Sequence, residues 1–138
     1  MSEANKSDFR FDKYIIKHSE LDIRGNELNG DSLSIHIKPK GIKSKNRFTL
    51  SLDILIQDDK QKFHVNVVVD GYFTFREDIN LEEHGHYFVI NAPAILFPYI
   101  RGYISMITSL SGIGNILLPT LNLEGLAEEL SKNIEEKK

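Results

Sequence analysis

Apolar and polar residues alternate with a period of two through most of the first half of the chain. This is the pattern of strands that turn one face to a core. Phe48, Leu50, Leu52, Ile54 and Ile56 alternate with Thr49, Ser51, Asp53, Leu55 and Gln57. Phe63, Val65, Val67 and Val69 alternate with His64, Asn66, Val68 and Asp70. A shorter run sets Leu33, Ile35 and Ile37 against Ser34, His36 and Lys38, and stops at Pro39. Phe9 to Ile23 is aromatic and β-branched but alternates less cleanly. Asp58-Asp59-Lys60-Gln61 reads as a hairpin turn, and Gly25-Asn26 and Asn29-Gly30-Asp31 as turns after the first run. Gly71 is expected to break the fourth strand, as a bulge, before Tyr72-Phe73-Thr74-Phe75 resumes it. Four strands with short links predict an antiparallel meander or Greek key, one face covered and one wetter.

The period then changes to that of a helix. From Pro98 the apolar residues fall at Tyr99, Tyr103, Met106, Ile107 and Leu110, with Ile100 and Ile104 alongside. Proline is tolerated in a first turn, so Pro98 is expected to start this helix or to kink an earlier turn into it. Ser111-Gly112-Ile113-Gly114-Asn115 ends it, and Ile116-Leu117-Leu118-Pro119 follows as an apolar loop. Asn122 has the character of an N-cap, with Leu123, Leu126, Leu130 and Ile134 on one face of a last helix. The expectation is therefore an α+β domain: a four-stranded antiparallel sheet with two C-terminal helices packed on one face. It spans 1–138 as a single unit, with 1–8 and the charged residues 135–138 as flexible tails.

Composition narrows the function classes. At 138 residues the chain fits one domain, and a net charge of -3 argues against nucleic-acid binding through a broad basic surface. With 0 cysteines it has no disulfide, thiolate metal site or cysteine nucleophile, which suits a cytoplasmic protein. The polar start to Asp8 is not a signal peptide. The greasy stretch 87–107 is broken by Asn91, Pro93, Pro98 and Arg101, so membrane insertion is not expected.

Candidate chemistry is thin. His84-Gly85-His86, after Glu82-Glu83, offers two metal ligands without a third in sequence, and reads better as a polar turn. His18, His36 and His64 occupy polar-face strand positions. Ser105, Thr108, Ser109 and Ser111 lack a nucleophile elbow, and there is no phosphate-cradling glycine motif. Arg101, amid apolar residues, suits a carboxylate partner from its own or a neighbouring subunit. Nothing supports an enzyme, a metal or a cofactor. The apolar surplus of the 99–110 helix is more telling. It is too wide for one sheet alone, and points either to a core helix in a tight monomer or to a subunit interface.

Leu96-Phe97-Pro98-Tyr99-x-Arg101, then Ile104-Ser105-x-Ile107-Thr108, a glycine turn, and Leu118-Pro119-x-Leu121-Asn122 resemble the C-terminal half of SecB-type protein-export chaperones. Gly71-Tyr72-Phe73 sits where that family has a glycine followed by an aromatic or aliphatic pair. The resemblance runs from about Phe9 to Leu130 and is most specific over 94–122. It implies a cytoplasmic, ATP-independent holdase that binds unfolded or precursor polypeptides and assembles as a dimer of dimers. Client-binding positions carried over are Tyr72, Phe73, Phe75, Phe97, Tyr99, Ile113, Ile116, Leu117 and Leu118. Those at the oligomer interface are Tyr99, Ile100, Tyr103, Ile104 and Ile107. Docking on the SecA translocase motor falls to His18, Asp22, His64 and Asn66, of which only Asp22 keeps the acidic charge the family uses there. Two alternatives follow: a SecB-like chaperone dedicated to one partner, such as an antitoxin, or an adaptor with the same fold.

Overall fold

The computed structural model describes residues 9–27, 33–76, 81–119 and 122–137, without the side chains of 81–84, 86, 87 and 123. Its elements are β1 (Phe9–Ile23), β2 (Leu33–Ser44), β3 (Arg47–Asp58), β4 (Phe63–Phe75), α1 (Leu81–Ser111), α2 (Leu123–Ser131) and β5 (Ile134–Lys137). The five strands form one sheet in the order β1-β4-β3-β2-β5. β2, β3 and β4 follow one another as hairpins, and β1 returns beside β4, so the antiparallel part is the Greek-key alternative.

Alternation decides which face is inside. Leu50, Leu52, Ile54 and Ile56 of β3 and Val65, Val67 and Val69 of β4 are fully buried. Their polar neighbours form the opposite, outer face. The β3–β4 turn is held by Asp58, whose Oδ1 accepts from the backbone N–H groups of Lys62 and Phe63 at 2.8 and 3.1 Å. β1 keeps its looser pattern because its pairing with β4 shifts twice, between Phe11 and Lys13 and between Ile16 and His18.

α1 lies across the inner face. Phe88 is enclosed by Phe9, Phe48, Phe73 and Phe75, with ring centroids 4.9, 4.7, 5.4 and 4.7 Å away. Ala92, Leu96, Ile100 and Ile104 continue the buried row. α2 is capped by Asn122, whose Oδ1 accepts from Gly125 N–H at 3.2 Å, and it buries Leu126, Ala127 and Leu130.

Several expectations are corrected. The sheet is mixed and has five strands rather than four: residues 134–137, read as helix end and charged tail, pair parallel with Gly41–Ser44 of β2. Residues 1–8 lie outside the described residues. β2 does not stop at Pro39 but continues to Ser44. The N–H of Gly41 donates to Asn133 O at 3.0 Å, away from β3. By alternation Pro39 also turns its backbone outward, so its missing N–H costs the β2–β3 ladder nothing.

α1 begins at Leu81, not Pro98, and carries Pro93 and Pro98 inside it. Each internal proline costs a helix about 3 kcal/mol. Burying Phe88, Val89, Ala92, Leu96, Phe97, Ile100 and Ile104 on the sheet outweighs that, at about 1.5–3 kcal/mol per large side chain. His84-Gly85-His86 lies in this helix rather than in a turn, its two imidazoles outside the described side chains. Gly71 is not a bulge. β4 pairs through it without a shift to β3, and a Cβ there would meet the Leu96 side chain at 3.0 Å, so the glycine lets α1 approach.

Candidate functional site

α1 is apolar on two sides. Below Ile100 and Ile104, both 0% exposed, lies the chain's own sheet. The other side carries Tyr99, Met106 and Leu110, at 44%, 50% and 80% exposure. Tyr103 and Ile107 flank them half-buried, and Gly102 stands between with open space around it. β1 extends this surface: Tyr14 stacks on Tyr99, centroids 4.6 Å apart at 28°, and Phe11 stacks on Tyr99 at 5.7 Å. Tyr103 Oη donates to Ser19 Oγ at 2.7 Å, tying helix to strand. Ile15, 40% exposed, continues along β1 on the outer face.

A second apolar feature is the loop between the helices. Gly112 and Gly114 adopt φ of +90° and +140°, a conformation that L side chains rarely take. The chain then runs with Ile116 and Leu118 buried and Leu117 65% exposed. Thr108, buried within α1, anchors it: its Oγ1 accepts from Ile116 N–H at 3.0 Å and donates to Ile104 O at 2.8 Å. Ser105 Oγ donates to Asn115 Oδ1 at 2.6 Å. The loop is therefore fixed at its base and presents Leu117 and half-buried Ile113 to solvent.

Of the client positions carried over, Phe73, Phe75, Phe97, Ile116 and Leu118 are buried in the chain's own core. Phe73 and Phe75 turn inward from β4, and Phe97, Ile116 and Leu118 turn inward from α1 and the loop. Tyr72 is on the other face of the sheet, with Lys13 Nζ 5.5 Å from its ring, and does not join the loop. Tyr99, Ile113 and Leu117 remain accessible. Of the interface positions, Ile100 and Ile104 are likewise core. Tyr99, Tyr103 and Ile107 are exposed or half-buried, and Met106 and Leu110, placed in the apolar stripe but not among the interface positions from sequence, share their side of α1, with Tyr14 stacked on Tyr99. A helical wheel through 99, 103, 106 and 110 carries that signal.

The four docking positions do come together on the outer face. Asp22 pairs in register with His64, Asn66 with Glu20, and His18 with Val68. Glu20, missed from sequence, sits between two imidazoles: Oε1 is 3.3 Å from His18 Nε2 and Oε2 is 3.7 Å from His64 Nε2. Asn66 Nδ2 donates to Asp53 Oδ1 at 2.7 Å. Glu20, Asp53 and Asp70 share this face with Asp22, alongside Arg24, whose Nε is 3.4 Å from Asp22 Oδ2, and Lys38, the register partner of Asp53. Arg101 is half-buried, and its Nε has no hydrogen-bond partner among the described residues. Among the described residues there is no group of three metal-ligating side chains, and no helix long and apolar enough to cross a membrane.

A family model described as preprotein translocase subunit SecB matches residues 26–133. An uncharacterized protein of Methanocaldococcus jannaschii is 27% identical over 145 residues, covering 99% of this chain and 93% of the relative. The protein-export protein SecB of Anaplasma phagocytophilum is 28% identical over 119 residues, covering 80% and 75%. Among solved structures, a SecB-like chaperone of Mycobacterium tuberculosis, in complex with a ChAD peptide from the HigA1 antitoxin, superposes with a TM-score of 0.70. The superposition has 13% identity and covers 87% of this chain and 92% of that one.

Proposed function

The chain belongs to the SecB family, and we propose that it is an ATP-independent holdase chaperone that binds unfolded polypeptides in the cytoplasm. The observation that carries this reading is the loop that presents exposed Leu117 and half-buried Ile113 on a base fixed by Thr108, beside the exposed apolar stripe of Tyr14, Tyr99, Met106 and Leu110. A surface of contiguous apolar side chains seeks a partner. The sequence has no nucleotide-binding motif that would couple binding to ATP.

The surface has two parts with two roles. The α1–β1 stripe of Tyr14, Tyr99, Tyr103, Met106, Ile107 and Leu110 meets a second copy, as one of the two interfaces that a homotetramer built as a dimer of dimers requires. It suits this role because the Tyr14–Tyr99 stack and the Tyr103–Ser19 hydrogen bond fix helix and strand to one another. The loop bearing Ile113 and Leu117 takes clients, because its two positive-φ glycines flank half-buried Ile113 and exposed Leu117 follows on a fixed base. Loosely constrained apolar groups suit a binder of many sequences.

The outer-face carboxylates Glu20, Asp22, Asp53 and Asp70, beside His18, His64 and Asn66, are where a basic partner such as the SecA motor would dock for export. A second reading keeps the chaperone but dedicates it to one partner. The antitoxin peptide bound to the Mycobacterium tuberculosis structural relative favours considering it. Size-exclusion chromatography with light scattering, followed by capture of a permanently unfolded chain, tests the proposal. A tetramer that retains the unfolded chain supports it; a monomer without affinity for unfolded chains contradicts it.

A further inference from the structure

Two groups of cations lie far apart in sequence and meet in the fold. Lys38, Lys40, Lys43, Lys45 and Arg47 fall within residues 38–47, which hold no carboxylate. Arg10 and Lys13 stand at the start of β1. β4 joins the two groups: Thr74 pairs with Arg10 on one side and Arg47 on the other. Tyr72 pairs likewise with Lys13 and Thr49. Alternation turns these side chains to the outer face, because Phe48, Phe73 and Phe75 beside them are buried in the core. This end of the outer face is therefore cationic, whereas the other end mixes Glu20 and Asp22 with Arg24. A net charge of -3 argues against a broad basic surface and leaves room for a local one.

A cleft of about 660 Å³ lies here, lined by Arg10, Lys13, Arg47, Thr49, Tyr72 and Thr74. That is the size range of small-ligand sites. Its cations are not spent on the fold. The Arg47 side chain is exposed, makes no hydrogen bond or salt bridge among the described residues, and acts on Asp12 only through space. Lys13 Nζ stands 5.5 Å from the Tyr72 ring centroid. Arg10 uses Nε on Asp12 Oδ1, at 2.7 Å. Asp12 is the one carboxylate in the cleft lining, at the residue where β1 shifts register, and both its oxygens are already occupied, by Arg10 and by Thr74 Oγ1. Asp70 and Glu135 lie outside the lining, on the neighbouring row and at the β5 edge.

We infer that this cleft binds single-stranded RNA, with Arg10, Lys13 and Arg47 on phosphates and the Tyr72 ring under a base. Unpaired guanidinium and ammonium groups suit phosphate oxygens. Tyr72 decides between polyanions. Its half-buried ring is a stacking platform, which a run of carboxylates does not use and an unstacked base does. A duplex keeps its bases stacked on one another, so a single strand is the form that fits. The cations also run on past the cleft, through Lys40 on the next row of β2 and Lys45 at the hairpin tip. A lone nucleotide leaves them unused; a polymer reaches them. The cleft is on the face away from α1 and the loop of Leu117, so RNA and an unfolded polypeptide do not compete for one surface.

The test is the fluorescence anisotropy of a fluorescein-labelled oligoadenylate RNA with the full chain, over a salt series that starts low. Phosphate contacts from Arg10, Lys13 and Arg47 give a slope of about -2 in log affinity against log salt. Arg47→Ala, at an exposed side chain, weakens binding and makes the slope shallower by about 0.7. Tyr72→Leu weakens binding about fivefold or more and leaves the slope as it was. Lys60→Ala removes an exposed cation from the β3–β4 turn at the opposite end of the sheet and binds as the parent does. No binding at low salt, or an equal loss in Lys60→Ala and Arg47→Ala, overturns the inference. Parental RNA affinity in Tyr72→Leu, with polyglutamate displacing the RNA, assigns the cleft to acidic polypeptide and overturns it as well. The inference stands apart from the chaperone reading, which capture of an unfolded chain judges on the same preparations.

Discussion

Tyr14 and Tyr99 stack with centroids 4.6 Å apart at 28°, yet 39% of one and 44% of the other stay exposed. The pair locks α1 to β1 with one half of each ring and offers the other half to solvent. Stacked aromatics add about 0.5–1.5 kcal/mol beyond their burial. The stripe is therefore held rigid by the fold, as an interface needs, and is not spent on the fold.

If the stripe is a subunit contact, Tyr99→Asp places an unpaired charge in it and breaks assembly. Gly102→Leu does the same by bulk, since open space surrounds Gly102 within the chain. Light scattering is expected to show a lower mass for both with an intact circular-dichroism spectrum. Ile104→Asp differs, because Ile104 is 0% exposed in the chain's own core and its charge unfolds the monomer. A parental mass for Tyr99→Asp and Gly102→Leu places the interface elsewhere.

Neighbouring residues of the loop are expected to separate stability from binding. Leu117→Ser removes a side chain that is 65% exposed, leaving the melting temperature near parental while weakening capture of unfolded chains. Ile116→Ser empties a core position and costs about 2–5 kcal/mol. Parental capture by Leu117→Ser would move the client surface off the loop.

Thr108→Val keeps the shape and removes the hydroxyl that holds the loop base. Ile116 N–H then loses its acceptor in a buried position, at a cost of about 1–3 kcal/mol. Chemical denaturation measures that loss. The Ile116 amide is expected to exchange faster while the amides of β3 are unchanged; equal exchange would mean that another group anchors the loop.

Asp12 accepts hydrogen bonds from Thr74 Oγ1 at 2.5 Å and Arg10 Nε at 2.7 Å. The Thr74 bond first, then the Arg10 bond, holds its carboxyl below the usual carboxylate value. The folded state therefore binds the proton less readily than the unfolded one. The stabilisation is full above the unfolded pKa and is lost as pH falls through the lowered folded pKa. Solvent exposure keeps the effect small. Thr74→Val is expected to raise the Asp12 midpoint in a carboxyl NMR titration and to flatten the acid limb of stability. An unmoved midpoint would remove Thr74 as the cause.

The strands β3 and β4 were legible because strict alternation leaves one choice of buried face. Asn122 was legible because a cap is a local interaction. The prolines misled in a physical way. Pro39 and Pro98 are stop signals on average, but Pro39 turns its missing N–H to an edge, and Pro98 is carried by residues far along α1 that bury on the sheet. β5 was not legible, since Glu135, Glu136 and Lys137 carry no apolar alternation and pair only because β2 leaves them an edge. The apolar surplus from Leu96 to Leu118 was legible. Its faces were not: Ile100 and Tyr99 are both apolar, and only the position of the sheet says which is core and which is surface.

The central claim is that exposed apolar surface holds unfolded polypeptide without nucleotide. Its most direct test is the light scattering of a chemically unfolded client diluted into buffer with increasing amounts of this protein and no ATP. Aggregation suppressed at stoichiometric tetramer, with the effect reduced in Leu117→Ser, is the predicted result. Aggregation that proceeds at the same rate and to the same extent in the presence of excess protein would contradict it.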